Sequence, residues 1–245
     1  MFFMTSDNIP IGVGFQAFGS THILWLLAGL LLCVGACIFY RNLPAGRRKI
    51  TLTVLGVFIF LLEVVKDLVL IGLHEFGWEN LPFHLCGINI LLIAFDTIKQ
   101  SKVVRSFLYY FSIPGAALAL LFPNWTAMPI WNFFHIHSFT IHIFLVLYPL
   151  LLVTSGQVAT DLKAALRGTL LLVGMAIPVY FLNLLLDTNF MFLMEPDSGN
   201  PLEMFEKLLG SHLWGFPILL PVVILVMYLP ARIISNRKTS VSIHQ

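Results

Sequence analysis

The sequence predicts an all-α fold: one integral membrane domain over residues 1–245, built as a polytopic bundle of about seven transmembrane helices, N-terminus outside and C-terminus cytoplasmic. Three observations predict it. Hydrophobic residues make up 58% of the chain and charged residues 11%, less than half the roughly 25% charge of a soluble domain, and the mean hydropathy is +0.91. Apolar runs of bilayer-spanning length recur along the chain. Lys and Arg gather in alternate connections. These features exclude disordered, collagen-like, coiled-coil and nucleic-acid-binding classes, and they exclude a large water-soluble α/β enzyme.

The elements follow in order. Thr21–Tyr40 is the first span; no basic segment precedes it, so no cleavable signal peptide is expected. Arg41, Arg47, Arg48 and Lys49 place its far end in the cytoplasm. Ile50–Gly72 returns outward, and Pro82–Ile98, the shortest run, goes back in, with Pro82 suited to a first helical turn. Lys99, Lys102 and Arg105 lead into Val103–Phe122, and Asn132–Val153 is the fifth span. Lys163 and Arg167 mark the inner end of Ala164–Leu185; Arg232, Arg237 and Lys238 follow the last span, Leu213–Leu229. Of the basic residues, Lys66 and Lys207 alone break this alternation. The longest connection, 186–212, is outside and acidic, with Asp187, Glu195, Asp197, Glu203 and Glu206. Its Pro196, Ser198, Gly199, Asn200 and Pro201 signal turns, and 202–210 suits a short helix on the outer surface. The polar 236–245 is expected to fray. No internal repeat or low-complexity tract is present.

Chemistry-bearing residues cluster on the outer side. His22, His74, His84, His135, His137, His142 and His212 all fall there, and His244 alone lies in the cytoplasmic tail. In the second span, Glu63 lies about 20 Å from the inner end by helical rise, with Asp67 one turn on and Lys66 placed to neutralise one of them. Ionisable groups at that depth cost a few kcal/mol and face a cavity or a partner. They form either an ion-pair lock between helices or a polar pocket for a headgroup. Cys86 sits in the first turns of the third span beside His84 and Asn89. A lone thiol there also reads as a small apolar filler, as do Cys33 and Cys37 on the first span. His135 and His142 share a face of the fifth span while His137 points elsewhere. A histidine beside a cysteine suggests thiolate activation, since imidazole accepts a thiol proton near neutral pH. Helical counting nevertheless puts His142 about 9 Å deeper than Cys86, which would favour His135 or His84 as the base.

The string Leu81-Pro82-Phe83-His84-Leu85-Cys86 resembles the LPLHLC signature of the YwaF-like integral membrane family, whose animal relatives are called transmembrane protein 164. Phe18-Gly19-Ser20-Thr21-His22 resembles the family's aromatic-to-His approach to span one, and Glu63 its acidic residue in span two. His142 with Pro149, Asn183, the Thr188-Asn189-Phe190-Met191-Phe192-Leu193 stretch with Pro196, and Trp214 line up in the same order. Phe83 and Phe190 depart from the family's Leu and Tyr, and His135 and His137 are additional.

The resemblance implies a phospholipid acyltransferase, with Cys86 as nucleophile and His142 as its partner. The expected partners are a membrane phospholipid and a lysolipid or similar acceptor; no cofactor, metal or nucleic acid is expected. Asn89, Asn183 or a backbone N–H near Pro82 would steady an oxyanion, Glu63 would orient a histidine and Lys66 would hold a phosphate. Asp67, His84, His135, His137, Asn189 and His22 are expected in supporting roles. Two alternatives stand beside this one. A Cys/His or metal-dependent lipid hydrolase is the first, although no HExxH or other diagnostic ligand spacing occurs. A small-solute carrier hinged at Pro114-Gly115 and Pro178 is the second, although no paired interrupted spans mark an inverted repeat.

Overall fold

The computed structural model describes residues 1–5, 8–10, 12–196 and 201–242, with side chains through residue 229. His244, and Asp197, Ser198, Gly199 and Asn200 of the outer turn, lie outside the described residues. Every regular element described is helical: α1 (Ser20–Arg41), α2 (Ala45–Gly72), α3 (Leu85–Lys99), α4 (Lys102–Phe107), α5 (Ile113–Leu121), α6 (Phe133–Thr154), α7 (Leu162–Leu186), α8 (Pro201–Leu209) and α9 (Gly215–Ser242). A π-helical turn, Leu108–Ser112, joins α4 to α5. It ends two residues before Pro114, whose ring removes the N–H that an α-helical ladder would need.

Five of the predicted spans are long and apolar enough to cross a bilayer: Ser20–Arg41, Lys102–Leu121, Phe133–Thr154, Leu162–Leu186 and His212–Leu229. The other two differ in kind. At 28 residues α2 has ample length, but it carries Arg47, Arg48 and Lys49 at one end and Glu63, Lys66 and Asp67 near the other. At 15 residues α3 is short, and it starts at Leu85 rather than at Pro82 as predicted. The predicted short helix at 202–210 is α8, whereas the segment expected to fray continues as helix to Ser242.

Helix α6 is the axis of the bundle. It packs against α1, α2, α3 and α5, and its buried face runs from Phe134 through Leu152. Helix α7 leans on α4, and α9 reaches the π turn, where the Tyr109 hydroxyl donates to the Met227 carbonyl at 2.6 Å. The outer faces of α1, α7 and α9 expose Leu24, Leu31, Leu170, Phe181, Leu185 and Val226. Such a girdle suits lipid and not water.

Proline inside α6 is tolerated for a specific reason. Pro149 cannot donate to the Leu145 carbonyl one turn back, and the Ser112 hydroxyl of the π turn donates to that carbonyl instead, at 2.9 Å. Each unmet backbone group in a bilayer costs several kcal/mol, so one hydroxyl holds α6 and the fourth span in register.

Candidate active site at the Cys86–His142 pair

Residues 81–84 form a tight turn that leads into α3, with His84 at the N-cap and Cys86 in the first helical turn. The lead folds back so closely that a Cβ on Gly87 would lie 2.7 Å from Pro82 Cα and 2.9 Å from its carbonyl carbon. Only glycine fits there. Because the helix begins late, its first turn meets α6 at the level of His142: Cys86 Sγ lies 3.3 Å from His142 Nε2. The depth gap predicted by counting from Pro82 is therefore not there.

The other nitrogen of His142 fixes the direction of the proton. Nδ1 is 2.7 Å from the Ser138 carbonyl, and a carbonyl only accepts, so Nδ1 carries the hydrogen. Neutral imidazole then presents a bare lone pair at Nε2, and the thiol donates to it. Trp125 stacks on the ring at 5.2 Å and 14°, held in place from the N-terminal arm. Phe15 N–H donates to the Thr126 carbonyl at 2.9 Å. A Cβ on Gly14 would meet that carbonyl at 2.1 Å, so the two segments approach only because residue 14 has none.

Around this pair the predicted residues divide. Glu63 lies on α2 among the charged residues of that helix. It pairs with Lys66, and His137 Nε2 stands 3.4 Å from its second oxygen, short of hydrogen-bond geometry. Lys66 also lies 3.2 Å from Asp67. The expected polar cluster therefore exists, and Glu63 faces His137 in place of His142. Asn89, one turn inward from Cys86, is fully buried with neither amide atom hydrogen-bonded.

The remaining predicted residues serve the frame. His22 accepts from the Phe18 N–H at 2.8 Å and donates to the Leu120 carbonyl at 2.7 Å. His135 accepts from the Trp25 indole at 3.0 Å, away from Cys86. Asn183 grips the backbone of Phe190 through both amide atoms, at 3.0 and 2.8 Å, so its donor is spent on the fold. Asn189 holds the Met194 and Glu195 N–H groups and donates to the Glu195 carbonyl. Their joint effect is to seat the 190–192 turn on His84, whose Nδ1 accepts from the Met191 N–H at 3.3 Å between the rings of Phe190 and Phe192. Cys33 and Cys37 pack in the core as free thiols.

Trp125, the Ser138 carbonyl and Gly87 carry no sequence signal of the kind used above. A second polar group does. Asp96 lies in a predicted span, where the rule that singled out Glu63 applies equally. It is buried, with both carboxylate oxygens 3.0 Å from Arg105 Nε and one accepting from the Tyr148 hydroxyl at 3.0 Å. Arg105 also donates to Gln157 at 3.1 Å, and Gln157 to the Tyr40 hydroxyl at 3.1 Å. Arg105 is thus a buried ion-pair partner as well as a loop cation.

A lipid-facing bundle of helices around a half-buried cysteine–histidine pair defines a multi-pass integral membrane protein. The model of the TMEM164 family matches residues 17–229, nearly the whole chain, and the protein belongs to that family. No curated protein and no solved structure matches the chain.

Proposed function

We propose that this protein is a membrane-embedded lipid acyltransferase working through Cys86 and His142. The observation that carries the proposal is the 3.3 Å contact between Sγ and an Nε2 whose lone pair is freed by the Ser138 carbonyl. Cys86 stands in the first turn of α3, facing that lone pair. Glu63 would hold the imidazolium electrostatically once the proton has moved.

The chemistry runs in two balanced halves. His142 Nε2 takes the thiol proton as sulfur attacks the ester carbonyl of a phospholipid. The tetrahedral intermediate collapses, the C–O bond breaks, and the lysolipid oxygen leaves with the proton from the imidazolium. A thioester on Cys86 remains. The hydroxyl of a lysolipid acceptor then gives its proton to Nε2 and attacks the thioester, so that the C–S bond breaks and the thiol recovers the proton. The first-turn N–H groups of α3, which no side chain caps, and the unpartnered Asn89 amide supply donors to the oxyanion. Lys66 serves the lipid phosphate from the α2 cluster. On the orientation set by the basic loops, the reaction faces the extracytoplasmic leaflet. Water in place of the acceptor would make the same site a hydrolase.

The test is intact-protein mass after incubation of the purified protein with a defined phospholipid, beside Cys86→Ala and His142→Ala. An adduct of one acyl chain, labile to hydroxylamine and missing in both variants, is expected. Lysolipid release without any adduct would replace the thioacyl route with direct hydrolysis. Neither product across several donors would end the enzyme proposal.

A further inference from the structure

At the end of the bundle opposite Cys86 lies a cavity of about 320 Å³. It is separate from the cysteine–histidine pair: Cys86 to Asp96 along α3 is about 15 Å of helical rise, and neither Cys86 nor His142 lines it. Its floor is the Asp96–Arg105 pair, and its mouth carries Arg48 and Lys49 from the start of α2 with Gln100 from the turn after α3.

The donors and acceptors of this cavity do not balance. Both oxygens of Asp96 are engaged by Arg105, and one also accepts from Tyr148, so the one carboxylate is satisfied from within. Arg105 spends Nε on Asp96 and Nη1 on Gln157, leaving Nη2 without a hydrogen bond among the described residues. Arg48 is pinned over the Tyr40 ring, with Nε and Nη2 on the carbonyls of Leu43 and Arg41, and its Nη1 likewise unmatched. The Lys49 ammonium and the Gln100 amide have no partner among the described residues. Three cations stand against a single, already paired carboxylate, beside the N-terminus of α2, which no side chain caps. A half-enclosed space of this size with surplus N–H donors and surplus positive charge fits an anion whose oxygens take several donors at once.

We infer that this cavity binds a phosphate monoester group, carried either by the headgroup of an anionic phospholipid or by a soluble phosphomonoester. Arg48, Lys49 and Arg105 supply the charge. Asp96 sets the Arg105 guanidinium and accepts nothing further. The cavity lies at the end marked by the basic loops, the side on which anionic lipids concentrate. The inference is independent of the acyl-transfer chemistry at Cys86.

The test uses the full chain in phosphatidylcholine nanodiscs. In one arm glycerol 3-phosphate is titrated and thermal unfolding is followed. In the other, phosphatidic acid is mixed into the disc and retained lipid is counted by native mass spectrometry. Lys49→Glu/Gln100→Glu alters two exposed side chains that bond nothing else described, so folding is preserved while the mouth turns acidic. The expected result is binding in at least one arm, weakened about tenfold or more by the double substitution and unchanged in Cys86→Ala. A response to glycerol 3-phosphate alone assigns a soluble ligand, and a response to phosphatidic acid alone assigns a lipid. Binding in neither arm, or equal binding by the double variant, overturns the inference.

Discussion

His142 is defined by what each of its nitrogens and its ring touches. One nitrogen is committed to Ser138, the other faces Cys86, and Trp125 covers the ring. The stack holds the imidazole plane toward the thiol, and aromatic pairs of this kind are worth about 0.5–1.5 kcal/mol. Trp125→Ala is therefore expected to slow thioester formation by roughly tenfold, while Trp125→Phe, which keeps a ring face, stays near wild type. Time-resolved intact mass measures both. A loss as large in Trp125→Phe as in Trp125→Ala would contradict a role for the ring face. The pairing of Cys86 with His142 was legible only through the resemblance carried by residues 81–86; taken alone the thiol reads as an apolar filler, and helical counting pointed to His135 or His84. Trp125 was not legible, because its place depends on Gly14 and Phe15 pairing with a loop over a hundred residues away, and no periodicity records such a contact.

At the level of elements, the short third helix decides the geometry. Most helix bounds were legible to within a few residues from apolar runs and basic loops. The start of α3 was not: Pro82 is a good first-turn residue, yet residues 81–84 form a separate tight turn and the helix waits until Leu85. Gly87 is the reason this arrangement is possible. Gly87→Ala is expected to push the Pro82 lead off the first turn and shift Cys86 by a few tenths of an ångström or more. Displacements approaching 1 Å at a reacting atom cost about a hundredfold, so the adduct should form about ten- to a hundredfold more slowly in folded Gly87→Ala, with circular dichroism confirming unchanged helix content. Wild-type rates in that variant would remove the steric argument. The Ser112–Leu145 contact shows the same economy in α6, where a proline named from sequence only for its position finds its missing donor on another helix.

Across the whole molecule, α3 and α6 touch at both ends, through Cys86 and His142 at one and Asp96 and Tyr148 at the other. The outer cluster was expected from sequence; the inner one was passed over because Arg105 was counted among the loop cations. Breaking a buried pair costs about 3–5 kcal/mol through the charge left behind. Asp96→Asn is accordingly expected to lower the unfolding temperature in detergent clearly, and Asp96→Asn combined with Arg105→Gln to recover part of the loss. No recovery in the double variant would mean that the two side chains stabilise separately. The bundle also carries a mismatch of length. Helix α3, with 15 residues, rises about 22 Å against a hydrocarbon core of about 30 Å. A mismatch of this kind favours a thinner bilayer or entry of headgroups beside its first turn, which would bring the ester linkages of neighbouring lipids toward the depth of the thiol. If the proposed acyl transfer holds, the protein would shape the membrane around itself, and a lipid substrate would have less far to travel than the depth of Cys86 alone would suggest.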